Sequence, residues 1–164
     1  MLKTKLKNKT GMRAVARRMR KAGGKLVFTN GCFDIIHAGH IELLKKARNL
    51  GDALVVAVNS DDSVKKIKSA GRPITPESER LEILAAITYV DHLILFDEAD
   101  PLELIKAILP DILVKGGDWK KEDIIGAKEV LESGGKVSTI RYLSGHSTTE
   151  MINRIIERHT KKNK

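Results

Sequence analysis

Five short apolar runs alternate with helix-like segments along the chain, and this alternation constrains the fold more than any other feature. The runs are largely continuous, with no polar residue at every second position, and they occupy residues 25–30, 53–59, 91–96, 111–115 and 136–140. Strands that face water on one side show such polar positions, whereas strands buried on both faces do not. Helical spacing predicts helices over residues 12–22, 38–50, 61–68, 77–87, 101–108, 122–132 and 148–158. The pattern therefore predicts an α/β fold with a doubly wound parallel sheet and helices on both faces.

Length and composition favour one globular domain. The chain has 164 residues, of which 41% are apolar, and no linker or internal repeat divides it. We place the domain at residues 12–158, between a basic N-terminal extension (1–11) and a basic tail (159–164). No apolar run approaches the ~18–20 residues of a membrane span. Because Cys32 is the only cysteine, no intrachain disulfide can form, and we expect a cytoplasmic protein without a membrane partner.

The net charge of +9 comes from the amino-terminal part of the chain. Residues 1–25 contain ten Lys and Arg and no acidic residue, so the remaining chain carries a net charge of −1. A basic nucleic-acid-binding protein is the alternative of a different class that this charge suggests. No aromatic residue is interleaved with these cations, so bases would have no stacking platform. We therefore expect solvated basic ends and no nucleic-acid partner.

The loop after the first predicted strand, residues 30–40, holds two histidines three positions apart at the start of a helix. That spacing places His37 and His40 on one face, and Gly39 between them lets a ligand approach the backbone. Free N–H groups and the positive end of the helix dipole favour an anion there. Two imidazole N–H donors at this position suit a phosphate group that gains charge in a transition state.

Cys32 adds two alternatives for the same loop. With His37 and His40 it could bind zinc, but a fourth ligand is missing and Asp34 is a poor candidate in so tight a turn. With His37 it could form a nucleophile pair, but no third residue is marked to orient the histidine. We predict that Cys32 is neither a nucleophile nor a metal ligand, and that the protein has no metal-ligating residues.

Cations gather in the segment that follows the second predicted strand. A ligand with several phosphate groups would bring several negative charges into one cleft, so mobile cations are expected beside it. The candidates for phosphate or substrate contact are Lys65, Lys68, Arg72 and Arg80. The alternative is a solvated helix face for the lysines and an ion pair with Glu77 or Glu79 for Arg80.

Two later loops also follow predicted strands and carry ligand-binding residue types. In residues 115–119, Gly117 lets the backbone approach a ligand and Asp118 can accept hydrogen bonds from ribose hydroxyls. Lys115 and Trp119 complete this candidate wall of a nucleotide or sugar pocket. The last helix begins at Ser147, Thr148 and Thr149, where one hydroxyl can cap the helix and the N-terminus can bind an anion.

The loop sequence Asn30-Gly31-Cys32-Phe33-Asp34 followed by His37-Ala38-Gly39-His40 resembles the signature of the nucleotidyltransferase superfamily. These enzymes join a nucleoside monophosphate to a phosphorylated acceptor and release pyrophosphate. Further stretches resemble the adenylyltransferase half of the bacterial bifunctional heptose kinase/adenylyltransferase: residues 27–34, 57–61, 71–74, 113–119 and 145–149. The similarity runs from about Met12 to about Ile156. The kinase half is absent from this sequence, so the resemblance implies adenylyltransferase activity alone.

This resemblance implies a Rossmann-like five-stranded sheet, a homodimer, and Mg²⁺-ATP and D-glycero-β-D-manno-heptose 1-phosphate as substrates of ADP-heptose synthesis for lipopolysaccharide core. It implies catalysis by His37 and His40. The nucleotide-binding residues it suggests are Asn30, Gly31, Cys32, Phe33, Gly39, Lys115, Gly117, Asp118, Ser147, Thr148 and Thr149. Glycerol-phosphate cytidylyltransferase and FAD synthase, on the same fold, stay open as alternatives. The Arg that cytidylyltransferases carry before the Ser-Thr-Thr segment is missing here, which favours ATP over CTP.

Overall fold

A computed structural model describes residues 1–68, 70–141, 145 and 147–160. Its strands are β1 (Leu26–Gly31), β2 (Ala53–Asn59), β3 (His92–Phe96), β4 (Ile112–Gly116) and β5 (Lys136–Ile140). Its helices are α1 (Leu2–Lys5), α2 (Lys9–Lys21), α3 (Ala38–Arg48), α4 (Asp61–Ile67), α5 (Glu77–Ala86), α6 (Leu102–Ile108), α7 (Ala127–Glu132) and α8 (Thr148–Thr160), with a 3-10 turn at Lys121–Asp123.

The five strands form one parallel sheet in the order β3-β2-β1-β4-β5. Buried side chains pack on both faces, with α2, α6 and α7 on one side and α3 and α5 on the other. All seven residues of β2 are buried, which explains its continuous apolar sequence. The predicted doubly wound, Rossmann-like fold is confirmed. Because β2 and β4 flank β1 on opposite sides, the strand order reverses beside β1, and ligands of such sheets bind there.

The predicted helix at 122–132 is the largest departure from the sequence-based expectation. The structure has the 3-10 turn at Lys121–Asp123 and starts α7 only after Gly126, whose φ is +85°. A left-handed residue interrupts a right-handed helix. A Cβ at Gly126 would also lie 2.6 Å from Cδ1 of Ile105 on α6, so the turn passes too close to α6 for a side chain.

Residues 1–11, which the sequence analysis separates from the domain, lie against the β3 edge of the sheet. Leu6 forms a parallel bridge with Leu93, and the Lys7 N–H donates to the Leu93 carbonyl at 2.9 Å. Leu2 and Leu6 pack against the core on that side, and α2 already begins at Lys9. Residues 161–164 of the predicted basic tail lie outside the described residues. Within the described part of the chain, no helix combines the length and apolarity needed to cross a membrane.

Candidate active site

A cleft of about 670 Å³ opens at the carboxyl ends of the strands, over the point where the strand order reverses. This volume is within the range of small-molecule sites. Sequence-predicted residues on its wall are Asn30, Gly31, Cys32, Phe33, His37, His40, Lys68, Arg72, Lys115, Trp119, Ser147, Thr148 and Thr149. Residues on its wall that the sequence analysis did not select include Asp34, Asn59, Asp100, Gly116, Ile125 and Glu150.

The loop between β1 and α3 has an unusual backbone. Phe33 and Ile35 have φ values of +50° and +53°, a left-handed conformation that side chains with a Cβ rarely adopt. Each such residue costs on the order of 1–3 kcal/mol and persists only where its surroundings enforce it. The two residues flank Asp34, whose side chain is completely buried. The loop thus turns sharply between strand and helix and holds an ionisable group under the cleft.

The two histidines stand side by side in the first turn of α3. Their ring centroids are 3.8 Å apart, and the Phe33 ring lies 5.3 Å from that of His40. The His37 backbone N–H donates a long hydrogen bond, 3.4 Å, to Nδ1 of His40. Because Nδ1 accepts, the proton of a neutral His40 belongs on Nε2. His40 is therefore oriented as a donor through Nε2, on the wall of the cleft.

Burial and the neighbouring His37 lower the pKa of His40 to about 4, although Asp34 acts in the opposite direction. His40 is therefore uncharged at neutral pH in the free protein. A neutral imidazole still donates one hydrogen bond, so it can stabilise negative charge that appears on a phosphate without binding the ground state as a full cation.

Cys32 has the properties of an inert cleft residue. Burial raises the pKa of its thiol, more than Lys68, Arg80 and Arg72 lower it. A thiol must lose its proton to act as a nucleophile or a metal ligand. Among residues 1–68, 70–141, 145 and 147–160, no group of three or more His, Cys, Asp or Glu side chains is placed to hold a metal. That Cys32 is neither a nucleophile nor a metal ligand stays a prediction.

The four predicted phosphate-binding cations have separate positions. Lys68 and Arg72 line the cleft. Lys65 is exposed, pairs with Asp62 at 2.9 Å, and lies on a smaller adjoining pocket. Only Lys68 and Arg72 are thus placed for a ligand of the main cleft.

Arg80 was expected to reach a phosphate, but its side chain does not line the cleft. Its guanidinium is fully buried: Nε donates to the Thr75 carbonyl at 3.0 Å, and Nη2 donates to Asp61 Oδ1 at 2.8 Å. Nη1 donates to the Cys32 carbonyl. The predicted alternative of an ion pair is the better one, but the partner is Asp61 rather than Glu77 or Glu79. Arg80 therefore ties the β1–α3 loop to the start of α4 from below the cleft.

Some residues at the end of β4 and in the loop after it line the cleft, and others lie away from it. Lys115 donates to Oδ1 of Asn30 at 3.4 Å, and burial lowers the pKa of its ammonium group. Trp119 lies half exposed on the cleft wall. Gly117 does not line the cleft. Its N–H donates to the carbonyl of Ile140 at the end of β5. Asp118 is also off the wall, and its Oδ1 lies 3.8 Å from Nε of exposed Arg141. Its contact with a ribose hydroxyl stays a prediction.

The start of α8 closes another side of the cleft. Oγ of Ser147 accepts the Glu150 N–H at 3.1 Å, which confirms the predicted helix cap. The Thr148 hydroxyl donates to the Asp34 carbonyl at 2.7 Å, and Thr149 also lines the cleft. Gly39, also predicted to bind the nucleotide, is buried in the first turn of α3 and does not line the cleft. His146, part of the quoted 145–149 stretch, lies outside the described residues.

Asp34 is the main site residue that the sequence analysis missed, since it was considered only as a zinc ligand. Its carboxylate accepts hydrogen bonds from Nε of Arg72 at 2.5 Å and from the backbone N–H groups of Ile74 and Thr75 at 2.9 Å. Burial raises the pKa of Asp34, but these hydrogen bonds and the Arg72 charge outweigh it and the net shift is downward. The available signal was an acidic residue between the two apolar residues Phe33 and Ile35, which predicts a buried, partnered carboxylate.

Comparison with known proteins shows which family the chain resembles. A family model described as cytidylyltransferase-like matches residues 28–154. The bifunctional protein HldE of Pelobacter propionicus is 45% identical over 157 residues, which are 96% of this chain and 32% of that protein. The protein of the same name from Vibrio vulnificus is 53% identical over 133 residues, 81% of this chain and 28% of that protein. The chain thus spans about a third of the length of these curated relatives.

Solved structures agree with the sequence relatives. A lipopolysaccharide core biosynthesis protein from Thermoplasma volcanium is 32% identical, with a TM-score of 0.59, and the match covers 74% of this chain and 98% of that chain. A pantoate-beta-alanine ligase from Francisella tularensis, 17% identical with a TM-score of 0.61 over 94% of this chain and 78% of that one, shares the fold alone. With a family model spanning most of its length and paired histidines at the expected strand-to-helix turn, the chain belongs to the cytidylyltransferase-like family of nucleotidyltransferases.

Proposed function

We propose that the protein transfers AMP from ATP to D-glycero-β-D-manno-heptose 1-phosphate and forms ADP-heptose, a precursor of lipopolysaccharide core, and pyrophosphate. Relatives named HldE at 45–53% identity and the 32% identical lipopolysaccharide core biosynthesis protein support this substrate pair. The observation that carries the chemistry is the histidine pair, with His40 uncharged at neutral pH, on the wall of a cleft that also holds Lys68, Arg72 and Lys115.

The reaction is a single in-line displacement. An oxygen of the heptose 1-phosphate attacks the α-phosphorus of ATP, a new P–O bond forms, and the bond from that phosphorus to the oxygen bridging to the β-phosphate breaks. Pyrophosphate leaves with the electron pair. The attacking phosphate is already anionic at neutral pH, so no strong general base is needed, and catalysis rests on positioning and electrostatics.

His37 and His40 act on the charge that develops during this displacement. Because Nδ1 of His40 accepts the His37 backbone N–H, a neutral His40 carries its proton on Nε2, and this side chain lines the cleft. A donor aimed at the α-phosphate or at the leaving oxygen becomes more favourable as negative charge grows there. Removal of one such donor typically lowers the rate by ~10²–10³-fold.

The cations and the helix start hold the phosphates. Lys68, Arg72 and Lys115 surround the cleft, and the first turn of α8 offers its hydroxyl groups and its positive end. Mg²⁺ enters as part of the Mg·ATP substrate. Mg²⁺ usually binds through substrate phosphates with one or two carboxylates, and Asp100 and Glu150 on the cleft wall would be available to it alongside the phosphates.

A matrix of nucleotides and acceptors tests the substrate assignment. ATP and CTP are each combined with heptose 1-phosphate, glycerol 3-phosphate and FMN, and pyrophosphate release is recorded. A site that hydrogen-bonds one base leaves buried polar groups unpaired with another, so discrimination is large. We expect ATP with heptose 1-phosphate to be at least ~10²-fold faster than any other pair.

The His37→Ala/His40→Ala double variant supplies the background rate for this matrix. If CTP with glycerol 3-phosphate, or ATP with FMN, gives the fastest release above that background, the substrate assignment is wrong. A nucleotidyltransferase of different specificity would then remain.

A further inference from the structure

The buried carboxylate of Asp34 has no part in the displacement, yet it lies directly under the cleft. Its oxygens are shared among three donors: Oδ2 accepts from Arg72 Nε and the Ile74 N–H, and Oδ1 accepts from the Thr75 N–H. Its side chain is completely buried. A buried charge needs partners of this kind, because an unpaired carboxylate in the interior would be strongly destabilising.

The contact with Arg72 is made through one particular nitrogen. A guanidinium carries five N–H groups, and Nε–H is the one nearest the chain. In the part of the chain that the structure describes, the hydrogen bond from Nε to Asp34 is the only one that the Arg72 side chain makes. Nη1 and Nη2 can grip a phosphate together, and Arg72 lines both the main cleft and the smaller adjoining pocket.

Asp34 also connects segments that are far apart in sequence. Its carboxylate binds the segment of Arg72, Ile74 and Thr75, and its carbonyl accepts the Thr148 hydroxyl at the start of α8. Asp34 itself belongs to the loop that leads into the histidine pair. One residue therefore fixes three walls of the same cleft relative to one another.

We propose that Asp34 is a positioning residue whose carboxylate holds Arg72 by Nε and so presents the terminal guanidinium nitrogens to a substrate phosphate. The inference rests on the proposed function in that the phosphate belongs either to ATP or to the sugar phosphate. It adds a residue whose carboxylate acts on the substrate phosphate through Arg72. The carboxylate also compensates the Arg72 charge while the cleft is empty, so the guanidinium can stay in place before the substrate arrives.

A double-mutant cycle tests whether Asp34 acts through Arg72. The variants are Asp34→Asn, Arg72→Ala and the double variant, and kcat/KM is measured for each substrate. We expect Arg72→Ala to lower kcat/KM about 100-fold and Asp34→Asn about 10- to 100-fold. The double variant should be no worse than about threefold below Arg72→Ala, because the effect of the Asp34 carboxylate on the substrate phosphate passes through Arg72.

Chemical rescue gives a readout that a purely structural role would not change. Free guanidinium ion is added to Arg72→Ala and to the double variant. We expect at least a tenfold recovery of kcat/KM in Arg72→Ala, where the Asp34 carboxylate can hold the added ion, and less than twofold recovery in the double variant.

The matched control is the pair Arg48–Asp91. There Nε of Arg48 lies 2.7 Å from Oδ2 of Asp91, which also accepts a backbone N–H, from Leu54. Asp91 precedes β3, at the end of the sheet away from the cleft. Asp91→Asn should lower thermal stability and leave kcat/KM within twofold of the parent. If Asp34→Asn behaves in the same way, or if its effect and that of Arg72→Ala multiply in the double variant, the proposal is contradicted.

Calorimetric titration separates this proposal from the proposed function. ATP and heptose 1-phosphate are titrated separately into the parent protein and into the same variants. The ligand whose affinity falls identifies the phosphate that Arg72 holds, and the non-additive pattern is expected in that affinity too. The variants can show this non-additive pattern in their affinity for ATP while the parent protein makes no ADP-heptose. In that case only the substrate assignment fails. Unchanged affinity for both ligands in Arg72→Ala would overturn the proposal itself.

Discussion

At the scale of single residues, the cleft combines cationic side chains with one hydrogen-bond donor, His40, that is uncharged at neutral pH. His40 is stacked against His37 with ring centroids 3.8 Å apart, and a proton on either ring would place a charge against its neighbour. Burial adds to this effect. A neutral imidazole such as that of His40 would bind a charged triphosphate less strongly than a cation would, so more of its interaction is reserved for the transition state.

The protonation of His40 gives the first prediction. In the free protein, its imidazole should titrate with a midpoint of about 4 in an NMR pH titration, whereas the urea-unfolded chain should titrate near the ordinary value of about 6.5. Between pH 6.5 and pH 4 the unfolded chain binds a proton at this histidine and the folded protein does not. The free energy of unfolding should therefore fall as the pH drops through that range. A folded-state midpoint above 6 would contradict the burial argument.

Substitution of the histidines gives the second prediction. His37→Ala and His40→Ala should each lower kcat by at least tenfold, and by as much as ~10²–10³-fold, because each removes a donor to the developing charge. His92→Ala is the control, since His92 begins β3 at the end of the sheet away from the cleft. Turnover close to that of the parent in either cleft variant would remove that histidine from the mechanism.

At the scale of secondary-structure elements, sequence patterns located the strands well and one helix poorly. Residues 53–59 were predicted as a strand and form β2 with the same bounds, because every position of that run is buried and the flanking residues are polar. The prediction of one helix at 122–132 is wrong at Gly126, because the spacing of apolar residues carries no information on whether the backbone is left-handed. The reason for the glycine is a contact with Ile105, about twenty positions away in sequence.

Gly126 therefore carries the third prediction. Gly126→Ala should lower the free energy of unfolding by roughly 2–4 kcal/mol, from the left-handed backbone and from the clash with Ile105 together. Gly134→Ala is a matched control, because Gly134 has almost the same φ, +84°, but a Cβ added there would meet nothing within 4 Å. The control should lose only the backbone part, about 1–2 kcal/mol. Equal urea midpoints for the two variants would contradict the close-approach argument.

The site was predictable in part, and the limit has a physical cause. The histidine pair and the Ser147 cap follow from local spacing, so neighbouring positions are sufficient to find them. Arg80 could not be assigned correctly, because its partners Asp61 and the Cys32 carbonyl lie 19 and 48 positions away. The same holds for Asp34, whose donors are about 40 positions further along the chain.

At the scale of the whole molecule, the basic amino-terminal segment is joined to the domain by its apolar residues. Leu2 and Leu6 pack against the core, and the Lys5 ammonium group donates to the Ile87 carbonyl at 3.1 Å. On the following helix α2, Met12, Val15 and Ala16 face the core while its cations lie outside. The segment thus covers part of the β3 edge through a single bridge, and none of its residues lines the cleft at the carboxyl ends of the central strands.

The central claim is that this cleft directs the sugar phosphate oxygen onto the α-phosphorus of ATP. The most direct measurement uses heptose 1-phosphate whose non-bridging phosphate oxygens are ¹⁸O, with unlabelled Mg·ATP and mass analysis of both products. The account predicts ADP-heptose that retains every ¹⁸O atom and pyrophosphate that contains none. Failure to form a nucleotide sugar, or ¹⁸O in the pyrophosphate, would contradict it.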